Sequence, residues 1–323
     1  MSAKKKLKTS AMIASIARED QTTTAAPFGH ALVEAAGKNP KIVGMTADLG
    51  KYTDLHIFAQ AYPDRYYQMG MAEQLLMMAG AGMAREGFIP FVTTYSVFAS
   101  RRAYDFICLA IAEEKLNVKI VSALPGLTTG YGPSHQATED IAIFRGMPNL
   151  TIIDPCDAVD IEQSVQAMVD FDGPVYLRLL RGKVPRILDR FEGYQFEIGK
   201  AKRLIDGEDA LIISSGLMTM RAIEAADKLR EKSTNVAVLD IDTILAEVRR
   251  YPERPVFVAE NHSIIGGLGE SIASLLMKEG VSVKFNQIGL PDAFLDAGAL
   301  PTLHDRYGIS TKEVIKTLKQ HVA

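Results

Sequence analysis

The sequence has little net charge, almost no cysteine and no long apolar run, and each absence closes off a class of function. Thirty-six Lys and Arg against 39 Asp and Glu leave a formal charge of −3. No overall basic field exists to hold nucleic acid or an anionic membrane. The one basic cluster, Lys4-Lys5-Lys6-Leu7-Lys8, lies in a polar, Ser/Thr-rich start and reads as a solvated tail over residues 1–20. That start shows neither the apolar core nor the cleavage site of a targeting peptide. The longest apolar stretches, such as 106–112, fall far short of the ~20 residues that cross a bilayer. The two cysteines, Cys108 and Cys156, show no pairing pattern, so both are expected to be reduced, as in a cytoplasm. Repeats and low-complexity tracts are also missing.

What is present suits two packed domains. The chain has 323 residues, 47% of them apolar, enough for two cores at ~100–200 residues per domain. Short apolar runs at 41–46, 89–93, 118–122, 150–153 and 175–180 alternate with helix-length segments at 28–37, 73–86, 97–112 and 158–171. Such alternation predicts a mainly parallel sheet covered on both faces, a doubly wound α/β fold. A polar stretch at 186–200 marks a boundary near residue 190, and 199–203 has the look of an edge strand. Alternation then restarts, with strands predicted at 210–214, 236–240, 256–259 and 281–287 and helices at 219–232, 268–280 and 311–319. The helix 73–86 carries Ala79-Gly80-Ala81-Gly82 in its middle, where glycine costs ~1 kcal/mol against alanine. Such a run is tolerated where another backbone comes close, either at a subunit interface or against the sheet.

Chemistry gathers in the first domain. Residues 68–74 read Gln-Met-Gly-Met-Ala-Glu-Gln and place Glu73 at the start of an apolar helix. A glutamate there ordinarily complements the helix dipole. The flanking Met69, Met71, Leu75, Leu76, Met77 and Met78 predict burial, which favours the neutral acid, able to hydrogen-bond a ring nitrogen. Tyr95 and Phe98 follow the run ending Phe91-Val92 and read either as core or as an aromatic pocket. Asp48, in Thr46-Ala47-Asp48-Leu49, falls at the C-terminal end of the first strand, where parallel sheets place ligands; the alternative is a helix cap. His135 lies in Gly130-Tyr131-Gly132-Pro133-Ser134-His135-Gln136, a loop composition that favours a functional role. Arg181 and Arg178, in Arg178-Leu179-Leu180-Arg181-Gly182, compete as an anion-gripping arginine.

These motifs, in this order, resemble the transketolase family, which includes deoxyxylulose-phosphate synthases and the β subunits of 2-oxo acid dehydrogenases. The resemblance runs from about Gln21 to near the end, and Glu260-Asn261-His262-Ser263-Ile264-Ile265-Gly266-Gly267-Leu268-Gly269 is similar to the family's C-terminal domain. It implies a pyrimidine-binding domain over 21–190 and a transketolase C-terminal domain over 191–323. It also implies thiamin diphosphate as cofactor, which carries the reaction while the protein positions it. Glu73 would meet the N1′ nitrogen of the cofactor's aminopyrimidine. Phe98 would stack on that ring, Tyr95 would line its pocket, and Asp48, Leu49 and Arg101 fall at further cofactor-contact positions. His135 would contact the donor ketose and assist proton transfer, Arg181 would grip the substrate phosphate, and Thr46 and Tyr131 fall at other substrate positions. Gly266-Gly267-Leu268-Gly269, without a following Lys-Ser/Thr, is not a P-loop and reads as a structural turn.

Departures shape the expectation. Gly130-Tyr131 stands where transketolases carry Glu-Asp, and Ala123 and Ala25 stand where the family has a histidine and an arginine that meet phosphate. The Gly-Asp-Gly…Asn signature of the diphosphate and Mg²⁺ site is not in the sequence, and no metal ligands are assigned to this chain. The expectation is therefore one subunit of a split transketolase, moving a two-carbon ketol unit between sugar phosphates. A second, diphosphate-binding subunit is the expected partner, with self-association through the pyrimidine domain. The rivals are a 2-oxo acid dehydrogenase β subunit and a non-catalytic module that kept the fold.

Overall fold

A computed structural model describes residues 16–18, 20–231, 234, 236–239 and 244–321. The basic cluster at 4–8, and residues 232 and 240 that end a predicted helix and strand, lie outside them. In chain order the first half carries the strands β1 (Thr23–Ala25), β2 (Ile42–Thr46), β3 (Tyr66–Gln68), β4 (Ile89–Tyr95), β5 (Lys119–Ala123), β6 (Thr151–Ile153), β7 (Val175–Leu179) and β8 (Lys183–Pro185). Six of them form one sheet in the order β3-β2-β4-β5-β7-β6, every pairing parallel. The strands β2, β4, β5 and β7 are buried at every residue, which is why they read as unbroken runs. β1 and β8 make a separate antiparallel ribbon.

The helices are α1 (Pro27–Lys38), α2 (His56–Ala61), α3 (Glu73–Arg85), α4 (Ser96–Arg102), α5 (Tyr104–Ile107), α6 (Asp140–Arg145) and α7 (Ala158–Asp170). They divide between the two faces of the sheet. Phe28, Leu32, Ile161 and Val165 build one core, and Leu76, Met77, Ile107 and Phe144 belong to the other. Proline opens α1, where its missing N–H has no partner to lose, and Asp157 caps α7 by accepting from the Asp160 N–H.

The second half forms a five-stranded sheet from β9 (Arg203–Ile205), β10 (Ala210–Ser214), β11 (Val236–Leu239), β12 (Val256–Ser263) and β13 (Phe285–Leu290), in the order β13-β12-β10-β11-β9. Only β9, at one edge, runs antiparallel. Its helices are α8 (Leu217–Arg230), α9 (Ile244–Arg250), α10 (Leu268–Lys278), α11 (Leu300–Arg306) and α12 (Thr311–His321). Among the described residues no helix is long and apolar enough to cross a membrane.

Several expectations need correction. The helix predicted over 97–112 is not continuous. α4 stops at Arg102, α5 restarts at Tyr104, and 108–112 is a wider turn in which Glu113 N–H reaches back to Cys108 O. Its apolar spacing continues through the break, so the pattern conceals it. The edge strand expected at 199–203 sits at Arg203–Ile205, and the strand expected from 281 begins at Phe285. The short β3, α2, α6, α9 and α11 were not predicted. In α3, a Cβ on Gly80 would lie 2.8 Å from Val92 Cγ1, so this glycine lets the helix approach β4, whereas a Cβ on Gly82 would meet nothing within 4 Å.

The two halves are joined through a buried charge cluster. Arg178 of β7 donates to Asp140 (2.9 Å), Asp154 (2.8 Å) and the Asn261 carbonyl (3.0 Å). Asp154 in turn accepts from Ser215 Oγ at 2.8 Å, and its carbonyl accepts from Gly216 N–H at 3.0 Å. Gly216 has φ +54, and a Cβ there would lie 2.5 Å from Asp154 Oδ1, so the junction needs glycine. Arg178, the rival to Arg181, is thus spent inside the protein.

Candidate active site

The predicted residues converge at the C-terminal ends of β2, β4, β5 and β7. At the end of β2, Thr46 is fully buried. Its hydroxyl donates to Thr93 O and accepts from Leu49 N–H, both at 3.2 Å. It shapes the turn rather than presenting a hydroxyl to a ligand. Asp48 is exposed with φ +57; Gln68 fixes it by accepting its N–H at 2.7 Å and donating to its carboxylate at 3.1 Å. Leu49 is half-buried against the core.

Glu73 is the first residue of α3 and is buried, at 3% exposure. The burial is not that of an apolar collar, however. Leu76 and Met77 are buried, whereas Met71, Leu75 and Met78 are 81%, 53% and 46% exposed. One Glu73 oxygen meets a cation instead: Arg102 Nη1 lies 3.1 Å away. The same guanidinium sits 4.0 Å from the centroid of the Phe98 ring. Arg102 had no predicted role; its four-residue spacing from Phe98 puts it near that ring on one helix, but the three-residue spacing of Arg101 does the same, so spacing does not single it out. Arg101 turns the other way. It pairs with Glu139 and donates to the carbonyls of Pro133 (2.9 Å) and Gln136 (3.3 Å), stapling the loop that carries His135.

His135 closes an aromatic cluster, with ring centroids 5.2 Å from Tyr131, 5.5 Å from Phe98 and 6.0 Å from Tyr95. Tyr95 and Phe98 are themselves 5.7 Å apart. Burial, seconded by the Arg102 charge, holds the His135 pKa below its ordinary value, so the ring is neutral at pH 7. Burial pushes the Tyr95 phenol up to about 12, against the pull of Arg181.

Beside this cluster opens a cavity of about 490 Å³ lined by Lys51, Asp54, His56, Arg181 and Lys183 among others, with Ala25 on its wall. His56 Nδ1 and Arg181 Nε are buried there without a hydrogen-bond partner. Buried polar atoms rarely stay unpaired, and two of them in one cavity mark a site for a polar ligand. Three cations, Lys51, Arg181 and Lys183, face a single carboxylate, so the ligand they suit is an anion. That carboxylate, Asp54, accepts from Gly182 N–H at 3.0 Å, and burial raises its pKa against the charges of Arg181, His56 and His30. Ala123 is buried in β5.

The second domain grips the His135 loop, a set of contacts that sequence reasoning missed. Asn261 Oδ1 accepts from Leu127 N–H at 2.9 Å, and Gln136 Nε2 donates to Asp296 O at 3.1 Å. Gly298 N–H donates to Gly130 O at 3.0 Å. A Cβ on Gly126 would come within 2.1 Å of Asn261 O, and one on Gly130 within 2.0 Å of Gly298 O. Glu260 takes the Leu268 and Gly269 N–H groups at 2.6 and 2.9 Å and Glu270 takes that of Gly266 at 2.9 Å, so the glycine turn at 266–269 is structural and three of its donors are occupied.

The arrangement fits one half of a thiamin diphosphate site. A buried carboxyl group beside the face of a half-buried phenylalanine offers an aminopyrimidine a hydrogen-bond partner for its ring nitrogen and a stacking surface. Among the described residues, the group of acids and thiols close enough to share a metal is Cys156, Asp157 and Asp160. Their carboxylates already accept from Asp160 N–H, Leu188 N–H, Cys156 N–H and Tyr194 OH. Burial raises the Asp157 pKa to about 6. These groups cap α7 rather than face a ligand.

Comparisons with known proteins bear on the fold and the family. Residues 20–186 match the family profile "Transketolase, pyrimidine binding domain" and 199–314 match "Transketolase, C-terminal domain". The chain is 66% identical over 324 residues to a putative uncharacterized transketolase family protein of Sinorhizobium fredii, covering 98% of this chain and 93% of that one. It is 34% identical to the 6-deoxy-6-sulfo-D-fructose transketolase subunit SqwH of Clostridium sp. strain MSTE9, covering 88% and 90%. Among solved structures, a split gene transketolase described as an inactive beta4 tetramer superimposes with a TM-score of 0.82 at 37% identity, covering 92% of this chain and 97% of that chain. By its pyrimidine-binding fold, its C-terminal domain and these relatives, the chain belongs to the transketolase family.

Proposed function

We propose that this chain is the pyrimidine-binding subunit of a two-component, thiamin diphosphate-dependent transketolase that moves a two-carbon ketol unit between sugar phosphates. One juxtaposition carries the reading. The buried Glu73 carboxyl group and the Phe98 face share the Arg102 guanidinium, the Phe98 ring packs against neutral His135, and a cation-lined cavity opens at Thr129 and Gly130 of the loop that carries His135. Thiamin diphosphate, when bound, supplies the electron sink for two-carbon transfer. Glu73 would hydrogen-bond the ring nitrogen of its pyrimidine, Phe98 would stack on that ring, Tyr95 would line its pocket, and Asp48 and Leu49 of the β2 turn would make further cofactor contacts. His135 takes up or returns a proton at a substrate hydroxyl. Arg181, with His56 and Lys51, holds the substrate's anionic end. Tyr131 narrows the donor side of His135. Arg101 and Thr46 act one step back, fixing the histidine loop and the β2 turn.

The partner subunit supplies the diphosphate and Mg²⁺ ligands, and two of each subunit assemble with the pyrimidine domains paired about a two-fold axis. The split gene transketolase described as an inactive beta4 tetramer supports self-association by a chain of this kind and a subunit that is inactive in that form. The cavity, its cations and Arg181 favour phosphorylated sugars over the 2-oxo acids of the rival dehydrogenase reading.

Calorimetric titration of thiamin diphosphate and Mg²⁺ tests the claim. We expect no binding to this chain alone and clear binding to its mixture with a diphosphate-binding subunit. Tight binding by the chain alone overturns the shared site. Full activity of a Glu73→Ala mixture overturns the catalytic reading.

A further inference from the structure

Arg102 makes two contacts that a pyrimidine ring needs. Its guanidinium lies 4.0 Å from the Phe98 centroid and donates to Glu73 at 3.1 Å. A guanidinium is planar, stacks on aromatic faces and carries N–H donors on its edge. An aminopyrimidine paired with a carboxylate shares all three properties. Among the described residues, Arg102 is the one side chain that hydrogen-bonds Glu73.

The two partners differ in mobility. The Glu73 side chain is 4% exposed, whereas that of Arg102 is 51% exposed. Arg102 is the last residue of α4, just before the break at Ala103. Its arm can therefore swing into solvent without unpacking the core. Its neighbour Arg101, held by Glu139 and two carbonyls, cannot do so without releasing the His135 loop.

We infer that Arg102 is a placeholder for the cofactor's pyrimidine: it covers Phe98 and neutralises Glu73 while the cradle is empty, and withdraws when the ring enters. The inference rests on the reading of Glu73 and Phe98 as that cradle. A placeholder keeps a buried carboxylate from standing unpaired, which is costly. It also makes the ring compete for its own site. A ring must displace Arg102 to bind, so this subunit alone holds it weakly, and the diphosphate end, bound elsewhere, provides the remaining drive. Cofactor loading is then coupled to subunit assembly, since only a state with Arg102 displaced is competent.

The probe is 4-amino-5-hydroxymethyl-2-methylpyrimidine, the ring without the diphosphate, titrated into this chain alone and followed by NMR. Arg102→Ala should bind it at least tenfold more tightly than wild type, with Arg102→Lys between them. The gain should vanish in the Glu73→Ala background. In the wild type, the Arg102 Nε–H resonance should move as the ring binds, a readout that needs no variant to fold. Equal or weaker binding by a folded Arg102→Ala, or an Arg102 resonance that ignores the ring, overturns the placeholder. Ring binding by no variant, with cofactor binding intact in the two-subunit mixture, also sinks the placeholder but leaves the functional reading standing. Loss of cofactor binding in the mixture sinks that reading itself.

Discussion

The Nε2 of His304 in α11 lies 2.8 Å from the main-chain carbonyl of Leu127, a bond that ties the second domain to the loop leading to His135. A carbonyl only accepts, so Nε2 carries the proton. Both residues are buried, and removing the donor leaves the carbonyl unsatisfied at a cost of about 1–3 kcal/mol. We expect His304→Ala to lower the melting temperature. In the assembled enzyme it should reduce kcat severalfold while cofactor affinity stays unchanged. His304→Gln, which keeps a donor, should recover most of the kcat. Steady-state kinetics with thermal melts separate this positioning effect from a plain loss of stability, which the two variants would share equally.

The same histidine sets a pH dependence. Burial pushes the His304 pKa down to about 4 from an ordinary 6.5. A depressed histidine stabilises the fold above about pH 6.5, and that contribution is lost as the pH falls towards 4. Glu260 has the opposite sign: burial raises it to about 7 from 4.5, so its contribution is present at low pH and is lost as the pH rises through about 7. Replacing His304 removes only the first slope. We therefore expect the stability gap between wild type and His304→Gln to be widest near pH 7.5 and to shrink steadily towards pH 5. Denaturation curves across that range check it, and a gap independent of pH would mean that His304 does not titrate as its burial demands.

Arg178 and Arg181 are three residues apart and should behave in opposite ways. Arg178 is fully buried between Asp140 and Asp154, and breaking such a cluster from one side costs about 3–5 kcal/mol. Arg178→Met should show that loss in chemical denaturation, and its folded fraction should keep the wild-type KM. Arg181→Ala should leave stability nearly intact and raise KM for a phosphorylated donor about tenfold or more, as loss of a charge-assisted contact predicts. His56→Ala should raise the same KM by a smaller factor. Neither should change KM for an uncharged ketose. An unchanged phosphorylated-donor KM in Arg181→Ala would remove the cavity from the substrate site.

The sequence made some of this legible and hid the rest for physical reasons. Glu73, Phe98 and Tyr95 could be placed because each sits within a few residues of a strand end or helix start. The parallel sheet was visible because β2, β4, β5 and β7 are buried on both sides and leave continuous apolar runs. Arg102 was hidden because choosing between two adjacent arginines requires knowing which way α4 faces. The break at Ala103 was hidden because apolar spacing continues across it. The grip on the His135 loop was beyond reach, since Leu127 and His304 are 177 residues apart and nothing local marks the pair. Thr46 shows the converse: a motif position survives while its hydroxyl is absorbed by the Thr93 carbonyl and the Leu49 N–H.

One face of the pyrimidine domain carries apolar side chains with no partner among the described residues. Leu75 and Leu109 are 53% and 55% exposed, and Met71 is 81% exposed. Met71 and Leu75 flank Glu73 in the chain, and the 108–112 turn that carries Leu109 packs against α3. Contiguous apolar patches on a monomer usually mark an interaction site. Specific interfaces bury roughly 1,200–2,000 Å² and lose most of their affinity when one central side chain is charged. If the pyrimidine domains pair through this face, Leu109→Glu should convert the oligomer to a monomer in sedimentation velocity and abolish cofactor binding by the two-subunit mixture. A charge on the opposite side of the sheet, such as Lys38→Glu at the exposed end of α1, should change neither. An unaltered sedimentation profile for Leu109→Glu would place the self-association surface elsewhere on the chain.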